Sequence, residues 1–181
     1  MRRTILFTLL AAILVAACSQ DRGTVYSVPL DRARQILTKT DLPPVFGSAA
    51  PSFEVRTYKP SEVTWIVSRN GDELMRYTAT LSVAGEGKTR VELELKGAKG
   101  GPAGDVERRF AENKSVKNLY LVAMEERIAS AIQARPLDMS KIYPALATAA
   151  LANMGNMRKS LDEAVKASGE PERPWPRLHY R

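Results

Sequence analysis

The sequence predicts an α+β fold, an antiparallel four- to five-stranded meander sheet covered on one face by long C-terminal helices. Three observations carry that prediction. Between residues 53 and 96 apolar and polar residues alternate with period two, the pattern of strands with one buried face. The alternation is interrupted at Lys59-Pro60-Ser61, Asn70-Gly71 and Gly85-Glu86-Gly87-Lys88, all turn-forming residues. From Lys114 onward apolar residues recur at steps of three and four, the helical period.

The elements follow in order. Residues 25–28 read as a first strand ended by Pro29, and Asp31 caps a short helix through Leu37. Asp41-Leu42-Pro43-Pro44 stops that helix, because proline lacks the N–H that continues it. Phe53 and Val55 begin the meander, followed by Val63, Trp65 and Val67. The clearest strand places Met75, Tyr77, Ala79, Leu81 and Val83 against Arg76, Thr78, Thr80 and Ser82. Val91, Leu93 and Leu95 alternate with Glu92, Glu94 and Lys96 in the last strand. After a glycine-rich loop over 97–104, Asp105 caps a helical turn that carries Val106 and Phe110. A helix over 114–134 puts Val116, Leu119, Tyr120, Ala123, Ile128, Ala131 and Ile132 on one face, and Pro136 ends it. A second helix over 140–167 has the stripe Ile142, Leu146, Ala149, Ala150, Met154, Met157, Leu161 and Val165. Its polar side pairs Lys159 with Glu163 and Asp162 with Lys166 at i,i+4 spacing. This gives one domain over 25–168, with the sheet in 25–97 and the helices in 105–168. Residues 169–181 form a Pro-rich basic tail.

Composition narrows the chemistry. The chain of 181 residues has one Cys and one His, which excludes an intrachain disulfide, a cysteine-rich zinc site and a multi-histidine metal site. No cofactor or metal is expected. His179 lies near the end of the tail, without the fixed orientation and partner a catalytic base needs. The formal charge of +7 comes from 27 Lys and Arg spread among 20 Asp and Glu, with no concentrated basic face for nucleic acid.

The first seventeen residues read as a processing signal. Arg2 and Arg3 precede the uncharged run Ile5 to Ala17, which is short for the ~20 residues a spanning helix needs. The run ends at Val15-Ala16-Ala17-Cys18, which resembles the lipobox of bacterial lipoproteins. That resemblance implies cleavage before Cys18 by signal peptidase II, diacylation of its sulfur and N-acylation of its amine, with residues 18–24 as a tether. Two or more acyl chains anchor stably where one does not. Loss of residues 1–17 removes two arginines and lowers the formal charge from +7 to +5. Ser19 after the cysteine points to the outer membrane by the enteric sorting rule, so a periplasm-facing envelope lipoprotein is expected. The leader lacks the long polar segment of twin-arginine signals, which favours the Sec route.

Ser27-Val28-Pro29-Leu30-Asp31 leading into a helix, the alternating strands and the long helix after Lys114 together resemble a reduced helix-grip fold of the START-like or polyketide-cyclase-like superfamily. The resemblance covers about residues 25–134 and implies a ligand cavity between sheet and helix. Phe53, Trp65, Met75, Tyr77 and Leu81 would line it from the sheet, and Tyr120 and Met124 from the helix. The family's sheet has more strands, and the 140–167 helix is extra.

Other constellations carry less. Ala84-Gly85-Glu86-Gly87-Lys88-Thr89 ends like a phosphate-binding loop, but the motif's first glycine is Ser82 and a strand follows it, not a helix. Glu92 and Glu94 share a strand face with Lys96 and read as a solvated surface. Trp175 between two prolines reads as a tail residue that packs locally or docks. The expected function is non-enzymatic binding by a lipid-anchored protein. The partner is an apolar or amphipathic small molecule under the sheet or, alternatively, an envelope protein on the 140–167 helix. An enzyme of unspecified reaction is the second alternative.

Overall fold

A computed structural model describes residues 23–46, 51–100 and 104–168. The leader with Cys18, the tail with Trp175 and His179, and the side chains of Met157, Leu161 and Val165 lie outside the described residues. The fold is α+β. Strands β1 (Thr24–Tyr26), β2 (Ser52–Arg56), β3 (Glu62–Arg69), β4 (Asp72–Gly85) and β5 (Lys88–Gly97) form one antiparallel sheet in the order β1-β5-β4-β3-β2. Helix α1 (Leu30–Leu37) follows β1. Helices α2 (Val106–Glu112), α3 (Lys114–Ile132) and α4 (Tyr143–Ser168) follow the sheet, with a 3-10 turn at Met139–Lys141 before α4.

The turns form for the expected reasons. Asn70 and Gly71 both adopt positive φ, which joins β3 to β4 by a two-residue hairpin. Gly85 and Gly87 do the same between β4 and β5. Register then builds apolar rows across the sheet, because residues opposite each other share a face. One row runs Val55, Trp65, Tyr77, Leu95, and the next runs Phe53, Val67, Met75, Gly97. Gly97 has no side chain because α2 sits on it: a Cβ there would lie 2.4 Å from the Glu107 nitrogen. Its N–H donates instead to Glu107 Oε2 at 2.6 Å.

Three expectations about local structure need correction. Asp31 does not cap α1: Pro29 holds the N-cap position, and Asp31 sits in the first turn, where it favours the helix dipole and faces Arg34 at 3.6 Å. Val83 is on the apolar side of β4 but is 72% exposed, since the strand runs on past its pairing with β3, which ends at Thr80. The apolar residues of α3 do not form one face. Met124 and Ile128 are buried against the sheet, while Leu119 and Ala123 are buried in a second cluster with Ile142, Ala145 and Ala149. Helix α3 is thus the middle layer, with the sheet on one side and α4 on the other. Asp105 and Asn113 do cap α2 and α3, accepting from the backbone N–H groups of Arg108 and Val116.

The core closes around Trp65. Its ring is fully buried, and its Nε1–H donates to the Thr40 carbonyl at 2.8 Å, which ties the segment after α1 to the centre of the sheet. Trp65→Phe leaves that buried carbonyl unpaired. It should lower the unfolding free energy by about 1–3 kcal/mol in denaturant titrations, whereas a change under ~0.5 kcal/mol would show that the bond does not hold this segment.

Candidate functional site

The seven residues expected to line a ligand cavity fall into three environments. Trp65, Tyr77, Leu81 and Met124 are buried in one close-packed cluster, and no described cavity is lined by any of them. The Tyr77 hydroxyl donates to the Tyr120 carbonyl at 3.4 Å, and burial raises its pKa. Phe53 shares the apolar face through its partner Val67, but β2 is the sheet edge and the ring is 39% exposed. Met75 and Tyr120 alone line an open space, a cleft of about 600 Å³ between the β3–β4 hairpin and helices α2 and α3.

Packing explains that cleft. Tyr120 stacks on Phe46 (5.2 Å between centroids, 18° between planes) and meets Phe110 edge-on at 6.0 Å. Leu74, Val106 and Val116 complete an apolar floor, and Arg69, Asp72 and Arg109 stand around it. An apolar floor with a charged rim suits an amphipathic molecule. Phe110 and Val116 were legible as apolar helix positions. Their meeting with the hairpin end was not, because it depends on α2 folding back onto Gly97.

A second arrangement lies at the far end of α3. The Glu126 carboxylate is buried and accepts from both terminal nitrogens of Arg135, from the Asp138 N–H at 2.9 Å, and from Lys141 at 3.3 Å. Arg135 does most to hold the Glu126 pKa down, at about 2, against the opposing effect of burial. Such a carboxylate is ionised at neutral pH and is a poor proton acceptor. Its geometry serves attachment, since it joins α3, the chain around Pro136 and the turn that starts α4.

At the other end of the contact Asn113 Nδ2 donates to Asn153 Oδ1 at 2.8 Å. Helix α4 therefore lies antiparallel to α3 and is held at two points, by Lys141 in the turn just before it and by Asn153. Asn113 is the N-cap of α3, so residues 154–168 carry α4 about 22 Å beyond the start of its neighbour. Among its described side chains only Ala145 and Ala149 are buried, on a narrow face continued by Ile142 just before the helix. A separate apolar stripe points outward: Tyr143 is 57% exposed, Leu146 42%, Leu151 68% and Met154 57%, with Ala147 and Ala150 between them. The sequence stripe merged these two faces. Ile142 and Ala149 belong to the buried one, and Leu146, Ala150 and Met154 to the exposed one.

Among the described residues no cluster of His, Cys, Asp and Glu could hold a metal ion, and no helix is long and apolar enough to cross a membrane. No buried side-chain nitrogen or oxygen among them lacks a hydrogen-bond partner. No protein-family model, curated protein or solved structure matches the chain.

Glu126→Gln should destabilise the fold by about 1.5–3 kcal/mol, the worth of hydrogen bonds to a charged group. The folded pKa lies below the ordinary 4.5, so the contribution is complete above pH ~4.5 and fades as pH falls toward about 2. Urea midpoints measured from pH 7 to pH 2 should show a gap between wild type and variant that closes below pH ~4. A constant gap would contradict the assigned ion pair.

Proposed function

We propose that this protein is a lipid-anchored lipoprotein of the bacterial cell envelope that works by binding, and that its binding element is the outward face of α4, which docks a helix of another envelope protein. The observation that carries the reading is a helix held at two points by its own domain while a second apolar stripe faces outward. Such stripes on a monomer surface mark interaction sites. The occupant is a protein helix rather than a membrane surface, on grounds of charge. Past Met154 the exposed residues of α4 mix Arg158 and Lys159 with Glu163. Interfacial helices instead gather Lys and Arg on the polar face, whereas mixed signs beside an apolar seam suit helix pairing. Ala147 and Ala150 at the centre of the stripe allow close approach of a second backbone.

The anchor part rests on Val15-Ala16-Ala17-Cys18 and the leader before it, and it places the domain on the periplasmic side, with the outer membrane favoured by Ser19. A second reading is supported by the cleft at Met75 and Tyr120, where an apolar or amphipathic small molecule fits between sheet and helix as the helix-grip resemblance implied.

Two measurements test this. Leu151→Glu with Met154→Glu leaves the core untouched, so the unfolding free energy should move by less than ~1 kcal/mol. Detergent-extracted wild type should run in a complex larger than one chain, and the double variant should lose at least ~90% of it. A wild type that runs as a lone chain would sink the docking reading. Metabolic palmitate should label the wild type and not Cys18→Ser, and label persisting in that variant would remove the lipobox assignment.

A further inference from the structure

Helices α1 and α3 enclose a second cleft, of about 430 Å³, with an unusual lining. Four cations surround it, Arg32 and Lys39 from α1 and its extension, and Arg127 and Arg135 from α3 and the residues after it; no acidic side chain lines it. The floor is short: Ser130, Ala131 and Ala134. Two of the cations are already engaged. Arg135 is paired with buried Glu126, and Arg127 reaches the Asp41 carbonyl at 3.2 Å and its carboxylate at 3.5 Å. Arg32 and Lys39 are exposed and have no ion pair among the described residues. They stand seven positions apart, Arg32 in the first turn of α1 and Lys39 two residues past its end.

Helix dipoles account for only part of the set: Lys39 follows the C-terminal end of α1 and Arg135 that of α3, where cations are favoured, but Arg32 stands in the first turn of α1, where they are not. Asp41, past the end of α1, touches Arg127, while Arg32 near the start of α1 shares the cleft with Ala134 and Arg135 past the end of α3. The two helices therefore run antiparallel, and their dipoles oppose each other along the cleft. The lining is basic and the residues beneath it are small, which leaves room for a compact anion between the cations.

The chain leading into α1 says which anion is nearest. Five residues lie between Cys18 and Thr24, the start of β1, so the six Cα–Cα steps span at most about 20 Å. Tyr26 ends β1, α1 starts four residues later at Leu30, and Arg32 in its first turn lines the cleft beside Ala134 and Arg135. The Arg135 end of the cleft is thus the part of the domain that a short tether holds near the anchoring membrane. We propose that the α1–α3 cleft binds the phosphate-bearing headgroup of an anionic lipid in the membrane that holds Cys18. The inference rests on the reading of Cys18 as the anchor. The shared chemistry is a phosphate ester; a free phosphate in the periplasm is its other source. Bound this way, the headgroup would fix the orientation of the domain on the membrane and so the direction in which α4 projects.

The test uses the protein purified from its own envelope and reconstituted in vesicles of phosphatidylcholine, with or without 30% phosphatidylglycerol. A membrane-impermeant amine-acylating reagent is added, and modification of Lys39 is read by mass spectrometry relative to Lys159 on α4 in the same molecules. Phosphatidylglycerol should slow modification of Lys39 about fivefold, the factor one cation contributes beside an anionic surface. Arg32→Glu should reduce that protection below twofold. Equal modification in both vesicles, or protection unchanged in Arg32→Glu, overturns the proposal. Protection by inorganic phosphate in phosphatidylcholine vesicles, with none from phosphatidylglycerol, also overturns it and assigns the cleft to a soluble anion. The same spectra report the mass of the Cys18 peptide, so an unacylated cysteine is recognised separately from an empty cleft.

Discussion

Helix α3 has to be apolar on two sides at once, and the rest of the architecture depends on that constraint. Met124 and Ile128 close the core over Trp65 and Tyr77, while Leu119 and Ala123 give α4 its seat. A helix in the middle layer cannot keep a wide polar face, so a charge on one of its packed sides has to be neutralised in place. Glu126 is the one carboxylate of α3 that lies buried, and it is matched by Arg135, Lys141 and the Asp138 N–H. Burial of an ion is tolerated only with such a full set of partners. The same set fixes the turn into α4. Asn113 contributes at the opposite end, capping α3 and holding Asn153 with one side chain.

With α4 held on a narrow buried face, what remains exposed is the consequence. The domain gives up Ile142, Ala145 and Ala149 to its own packing and leaves Tyr143, Leu151 and Met154 outward on a helix that runs past its support. The basic α1–α3 cleft lies on the side of α3 that meets α1, where the membrane contact we propose for it is made. A membrane-facing contact and a partner-facing contact can then be made by one small domain without competing for the same residues.

The sheet was legible in the sequence because strand periodicity reports a single buried face. The alternation from Val63 to Leu95 and the Asn70-Gly71 turn place the β3–β4 hairpin and most of its register. The sequence did not separate the two faces of α3 or of α4, since a helix buried on both sides shows no single stripe, and a stripe that mixes two faces reads as one. The expected ligand residues were drawn from the sheet's apolar face, and that face is mostly core: Trp65, Tyr77 and Leu81 are apolar because they fill space. Arg32, Lys39, Arg127 and Arg135 are about a hundred residues apart in pairs, so no local pattern could unite them. Only the antiparallel packing of α1 on α3 does so.

The central claim is that the outer face of α4 is covered by another protein in the envelope. The most direct measurement places a photo-crosslinking amino acid at Leu151 in the native host, with the same residue at exposed Arg108 on α2 as the reference. A discrete adduct with a different protein is expected from position 151 and none from position 108. No adduct at 151, equal adducts at both positions, or an adduct of two copies of this chain would contradict it.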